Sequence, residues 1–461
     1  MSLLIKNGEI VTASERYVAD IYCENETITK IGKDLEAPKG AKVIDAKGKY
    51  VFPGFIDPHV HIYLPFMGTY AKDTYETGSK AALMGGTTTL IEMLCPSKDD
   101  DLLESYELWK SKGEGKSACD FTFHMGVPRF DEKVKSQLRE IVESGISSFK
   151  VFLAYKGVFN LSDEELYHTM LFAKELGVIT TAHCENADLV LELQKKLIAD
   201  GKTGPEWHYH SRPPYVEAAG TSRFLTFAQA TGAAAYIVHL SCNEALHQAM
   251  RARYAGIRAF VEIVIPYLTV DMSYAELPDF EGAKYVMSPP LRHKSNQDLF
   301  WNGLKQGFIH TVATDHAPFD FKDQKMKMGK DDFTKIPNGI PSIEERVKLL
   351  YSHGVAEGKI DLHTFVNCAS TQAAKIFGLF PRKGTIQLGA DADLVIYDPD
   401  YEGVISQKTH SMNVDYSAFE GWKIKGRPET VTVRGELAVD HGKYVGTTGR
   451  GQLLKREPNH F

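Results

Sequence analysis

SSFKVFLAYKGVFNLSDEELYHTMLFAKELGVITTAHCE, residues 147–185, contains the unit from which the fold follows. Its two ends, SSFKVFLAY and VITTAHCE, are short apolar runs of the kind that form strands buried on both faces. Between them SDEELYHTMLFAKELG opens on a serine three residues ahead of a glutamate and closes on a glycine, the start and stop signals of a helix. Strand, helix, strand in that order predicts a parallel pair.

The alternation extends in both directions. Six further runs have the same texture: VFPGFIDPHVHI (51–62), GTTTLIEML (86–94), CDFTFHMG (119–126), AAYIVHLS (234–241), RAFVEIVI (258–265) and IHTVATDHAP (309–318). Helical patterns such as DEKVKSQLREIVESG (131–145) and TSRFLTFAQATG (221–232) lie between them. Eight strand–helix repeats predict an α/β fold, a (β/α)8 TIM barrel, with residues 53–379 as the catalytic unit. Outside it, LLIKNGEIV (3–11), DIYCENETITKIG (20–32) and AKVIDAKGKYV (41–51) alternate apolar and polar residues around turn signals. GTIQLGADADLVIYD (384–398) and ETVTVRGELAVDHGKYVG (429–446) repeat that texture. Residues 1–52 and 380–461 are therefore expected to meet in one smaller β-sandwich domain.

Composition narrows the function. In 461 residues, 43% are hydrophobic and 25% charged, a mix that supports a large core, and the net charge of -7 argues against nucleic acid as a partner. The N-terminus lacks the apolar core of a signal peptide, and no run approaches the roughly 18 apolar residues of a membrane span. A cytoplasmic protein is expected. The six cysteines, Cys23, Cys95, Cys119, Cys184, Cys242 and Cys368, lie far apart without metal-finger spacing and read as reduced thiols. The segment WHYHSRPPYVEAAG (207–220) reads as a structured loop over the barrel mouth, and DDDLLE (99–104) as a solvated helix start.

In a barrel of this kind the C-terminal strand ends carry the chemistry, so the polar residue that closes each run is informative. His59 and His61 close one run two apart, which puts both imidazoles on the same face of a strand. Lys150 interrupts another run, His183 and His239 end two more, and Asp315 ends the last. Four histidines and an aspartate at strand ends would each need a buried partner, and a metal ion supplies one for all of them. Lys150 has two readings: a lysine paired with an acidic neighbour, or an amine that has added carbon dioxide to become a metal-bridging carbamate. His124 and His316 read as hydrogen-bonding support rather than ligands.

The motifs GFIDPHVH (54–61), GGTTTLIEM (85–93), FKVFLAY (149–155), AHCEN (182–186), VHLS (238–241), MSPPLR (287–292), ATDHAP (313–318), PNGIPSIEER (337–346) and GADADLVIYDP (389–399) resemble the D-hydantoinase and dihydropyrimidinase family of the amidohydrolase superfamily. The resemblance spans nearly the whole chain. It implies two divalent metals, zinc foremost with manganese or cobalt as alternatives. His59, His61 and Asp315 would hold the more buried ion, His183 and His239 the second, and Lys150, N6-carboxylated, would bridge them. It further implies that Tyr155 donates a hydrogen bond to the oxyanion and that Ser288 and Asn338 contact the ring amide through their backbone. Hydroxide held between the metals would attack the ring carbonyl, with Asp315 taking the proton and passing it to the departing nitrogen. A homotetramer is implied, with the tail GRGQLLKREPNHF (449–461) read as an arm crossing to a neighbour.

The family includes several reactions. Relatives acting on dihydroorotate or allantoin have an arginine soon after the HxH motif, whereas here HIYLPFMG (61–68) offers Leu64 and Phe66. With Phe152 and Phe159 these resemble the residues that shape a hydantoinase side-chain pocket. The small-molecule substrate expected is a cyclic ureide with an uncharged substituent, opened to an N-carbamoyl amino acid. The competing readings are allantoinase or dihydroorotase activity, and a non-catalytic scaffold, which the intact ligand set opposes.

Overall fold

The computed structural model describes residues 2–460. Eight strands form one parallel sheet: β1 (Phe55–Val60), β2 (Thr87–Met93), β3 (Asp120–Gly126), β4 (Ser148–Phe152), β5 (Ile179–His183), β6 (Ala235–Ile237), β7 (Ala259–Val264) and β8 (Thr311–Ala313). Each pairs with the next in chain order. β8 returns to β1 through a short parallel bridge: the Asp315 amide donates to the His59 carbonyl at 3.0 Å and the His61 amide to the His316 carbonyl at 2.8 Å. The barrel is closed by residues that the sequence singles out as candidate ligands. Its strands are covered on both faces, β1, β2 and β3 being buried along their whole length, as near-continuous apolar runs require.

The helix between β4 and β5, Asp163–Leu176, shows how the sequence sets these elements. Ser162 accepts from the Glu165 amide while the Glu165 side chain accepts from the Ser162 amide, and Gly177 ends the helix at φ 69. Only glycine enters that left-handed conformation without steric cost.

A second sheet of nine strands joins the two ends of the chain. Leu394–Val404 runs antiparallel to Tyr50–Pro53, with Val395 opposite Phe52, and Lys423–Val433 continues the sheet. Ile5, Ile10, Ile21, Val51 and Leu394 form its core. It meets the bottom of the barrel at a buried cluster of charges around Asp120, the first residue of β3.

Two readings of the sequence need correction. Residues 207–220 are mostly helix: Trp207–Ser211 is one turn, and Pro214–Thr231 runs for 18 residues with a proline at its first turn, where the missing N–H is harmless. The tail is no arm reaching away; it lies along its own barrel. The Phe121 amide donates to the Gln452 carbonyl, the Leu454 amide to Phe121, and Arg456 is buried under the strands. Backbone pairing, a buried cation, the Asn459 amide and the single buried Leu454 hold it, none of which appears as apolar periodicity; Phe461 lies outside the described residues. Asp101 caps the helix Leu102–Gly113, as the acidic run suggested. No helix among the described residues is long and apolar enough to cross a membrane.

Candidate metal centre

The six residues that close the apolar runs converge at the C-terminal mouth. His59 stands within β1 and His61 just beyond it, Lys150 is central in β4, and His183 is the last residue of β5. His239 and Asp315 follow β6 and β8 by two residues. All six are buried, Asp315 the most accessible at 9%. The His59 and His61 ring centroids are 5.2 Å apart, His59 and His239 5.4 Å, and His183 and His239 4.5 Å. One ligand atom each from His59, His61 and Asp315 falls within 4.8 Å of the others. With His183, His239 and Lys150 they line a small cavity of about 40 Å³. It adjoins an outer cleft of about 860 Å³ that shares Phe66, Cys95, Tyr155, Phe159 and Asn338 with it.

The hydrogen bonds show what this set can bind. His59 Nδ1 lies 2.7 Å from Glu262 Oε1, so its other nitrogen is left as an acceptor. That atom, Nε2, has no hydrogen bond among the described residues and stands 3.1 Å from Asp315 Oδ1, as does His61 Nε2. His61 Nδ1 and His239 Nδ1 are likewise buried without a partner. His183 Nε2 is occupied by Glu185 Oε2 at 2.6 Å, which leaves Nδ1 free to face the cavity. Burial drives the His59, His183 and His239 imidazolium forms below the usual histidine range, so the rings are neutral with lone pairs available. Burial alone would raise Asp315, but His59, His61 and Lys150 hold it below the ordinary carboxylate range. A neutral His59 ring whose acceptor nitrogen stands 3.1 Å from a carboxylate oxygen is an unfavourable arrangement without a cation, and the donor set fits a divalent ion.

Burial also lowers the Lys150 ammonium, and Lys150 makes no ion pair among the described residues. The reading as a salt-paired lysine therefore lacks its partner. The backbone supports a purpose-built mouth: Tyr155, His239 and Asp315 sit at φ 60, 37 and 52, a region that residues with a Cβ enter at a cost and that clusters at functional sites.

Tyr155 stands in the same cavity, its hydroxyl pushed up to about 12 by burial and so a donor at any ordinary pH. Ser288 and Asn338 line the same cavity and are linked, Asn338 Nδ2 donating to Ser288 Oγ at 2.8 Å. Leu64, Phe66, Phe152 and Phe159 form an apolar wall around Tyr155; the Phe152–Phe159 and Phe66–Tyr155 ring centroids are 5.2 and 5.5 Å apart. Cys95 borders both cavities, and all six cysteines are free and buried. His124 bonds Ser148 Oγ at 2.6 Å and the Pro58 carbonyl at 2.9 Å, and His316 pairs with Asp73 at 2.8 Å. Neither is turned toward the metal centre.

Sequence reading did not find the groups behind these residues. Glu262 in β7 bonds the His59 ring, the His239 amide at 2.9 Å and Tyr236 at 2.9 Å, and burial raises its carboxyl to about 8. Its signal was available: it is the single charge inside the apolar run AFVEIV. Arg212 pairs with Glu185 at 2.5 Å and lies over the Tyr155 ring, 5.5 Å from its centroid.

A barrel whose strand ends present unpartnered imidazoles beside a buried carboxylate has the donor set of a metal site, and residues 50–438 match the model of the amidohydrolase family, to which the chain belongs. A solved structure of D-hydantoinase (dihydropyrimidinase) from Thermus sp. superposes at a TM-score of 0.98 with 64% identity, covering 100% of both chains. The D-hydantoinase of Geobacillus stearothermophilus is 48% identical over 457 residues, 99% of this chain and 97% of that one. The dihydropyrimidinase of Rattus norvegicus is 38% identical over 463 residues, 99% and 89% respectively. Within the amidohydrolases the chain is a member of the D-hydantoinase and dihydropyrimidinase family, and it is a hydrolase acting on cyclic amides.

Proposed function

We propose that the chain opens the ring amide of 5-substituted hydantoins, dihydropyrimidines or both, giving N-carbamoyl amino acids. The observation that carries this reading is the acceptor nitrogen of the neutral His59 ring, buried without a hydrogen bond beside Asp315 at the barrel mouth. His59, His61 and Asp315 would hold one divalent ion, His183 and His239 the other, and N6-carboxylated Lys150 would bridge them, with zinc the metal best suited to nitrogen-rich ligands. When bound, two such ions supply an acidified water and a Lewis acid for the ring carbonyl.

The chain's own groups do the rest. Asp315 accepts the proton of the attacking water and returns it to the departing ring nitrogen, one carboxylate serving as base and then as acid. Tyr155, protonated throughout, donates to the carbonyl oxygen as negative charge develops there. Ser288 and Asn338 hold the ring amide and fix which carbonyl faces the water. The ring substituent lies against Leu64, Phe66, Phe152 and Phe159. Arg212, which lines the outer cleft, is engaged by Glu185, so an apolar or uncharged substituent suits this wall better than a carboxylate.

The working enzyme in this reading is a cytoplasmic homotetramer. The test is ring opening of hydantoin, a 5-substituted hydantoin, dihydrouracil, allantoin and dihydroorotate by the purified protein, with metal content and mass in solution measured on the same sample. Turnover of the first three with about two metals per chain is expected; turnover of only the last two would reassign the substrate.

A further inference from the structure

Lys325 is fully buried in the short helical segment Phe321–Met326, yet it makes no ion pair among the described residues. Its Nζ donates to two backbone carbonyls, Val286 at 3.1 Å and Pro337 at 2.9 Å. Pro337 directly precedes Asn338, and Val286 stands two residues before Ser288. These two stretches are far apart in the chain and are tied together elsewhere too: the Gly339 amide donates to the Val286 carbonyl at 2.9 Å, and Asn338 Nδ2 to Ser288 Oγ. From the opposite side His208 Nε2 meets the Met287 carbonyl at 2.9 Å and Ser288 Oγ at 3.2 Å.

A buried amine without a carboxylate is costly, and apolar side chains of similar volume fill such a space without that cost. What the amine adds is a donor for the Pro337 carbonyl, a second donor for the Val286 carbonyl beside the Gly339 amide, and a fixed distance between the segments that bear them. Burial draws it down to about 7, and its neutral form still has two N–H groups, one for each carbonyl.

We propose that Lys325 is a positioning residue for substrate: its ammonium or amine clamps the Val286 and Pro337 carbonyls and so sets the spacing of Ser288 and Asn338 across the ring amide. The proposal rests on the reading of Ser288 and Asn338 as ring-amide contacts. Lys325 touches neither the metal-binding side chains nor the ring, so its loss acts on binding geometry and leaves the metal centre intact.

The test compares the wild-type holoenzyme, Lys325→Met and the exposed control Lys327→Met on a 5-substituted hydantoin. The expected result for Lys325→Met is a KM raised about 10- to 100-fold with kcat within about threefold and metal content unchanged; the control matches wild type. An unchanged KM, or a fall in melting temperature and metal content without a KM effect, would overturn the proposal. Lys325→Gln, which keeps an N–H donor, is read by the same criteria if the methionine variant does not fold; loss of fold in both makes Lys325 structural and ends the proposal. A wild-type enzyme that opens no cyclic ureide fails the functional reading instead, and the wild-type arm shows that separately.

Discussion

The two ends of the barrel differ in what their buried polar side chains meet. At the bottom, Lys383 Nζ lies 2.6 Å from Asp120, 2.7 Å from Asp393 and 3.0 Å from Asp391, and Arg434 also pairs with Asp120. Arg346 donates to the Ile56 and Val312 carbonyls at 2.9 and 2.8 Å, and Arg456 to Thr122 and Ser148 hydroxyls at 3.1 and 3.0 Å. At the mouth, His59 Nε2, His61 Nδ1 and His239 Nδ1 have no hydrogen bond among the described residues, Lys150 has no carboxylate partner, and three residues sit at positive φ. At the bottom each of these cations is held by acids, carbonyls or hydroxyls of the fold, Arg346 Nε and Arg434 Nε alone among their nitrogens lacking a hydrogen bond among the described residues, whereas the mouth leaves imidazole nitrogens without any hydrogen-bond partner from them. That division is the one expected of barrels whose chemistry sits at the C-terminal face.

Substitutions sharpen this contrast. The largest effect belongs to Asp315→Asn at the mouth: kcat should fall by at least about 10²–10⁴-fold, the range for a lost general acid–base, while circular dichroism stays native. A folded variant of full activity would break the assignment of Asp315. Lys383→Met at the bottom should do the reverse. Removing one partner of a buried charge cluster costs about 3–5 kcal/mol, read as a lowered denaturant midpoint, with kcat of the folded fraction unaffected. Tyr155→Phe should lower kcat by about 10²–10³-fold with little change in stability, measured by steady-state turnover and thermal melting together. Smallest is Glu262→Gln behind His59, expected to weaken metal affinity about 10- to 100-fold, as a chelator titration would show. If Glu262→Gln cost stability and spared metal affinity, the boundary between the two ends would have to be drawn closer to the metals.

The sequence reading reached what is encoded locally. Each of the eight runs carries its own apolar pattern, and helices such as Asp163–Leu176 announce both ends, so the barrel could be counted. The residues that close the runs were legible for the same reason: a histidine or aspartate at the end of an apolar strand stands out against its neighbours. Glu262 was missed because its meaning lies in a contact with His59, 203 residues away. Lys325 sits in a polar segment, KDQKMKMGK, where nothing marks it as buried. Residues 207–220 read as a loop because paired prolines and polar aromatics mask a helix that begins at the second proline. The tail misled for a related reason, since its hold on the barrel is made of backbone bonds, Arg456, Asn459 and a single buried leucine rather than an apolar stripe.

That arginine has a consequence in time. Arg456 bonds Thr122, a residue 334 positions earlier. At synthesis rates of about 5–20 residues per second, β3 emerges from the ribosome about 17–67 s before the side chain that seals the floor beneath it. For that interval the Thr122 and Ser148 hydroxyls lack the guanidinium that joins β3 to β4 from below, so slower translation of the second half lengthens the stage before this part of the floor is closed.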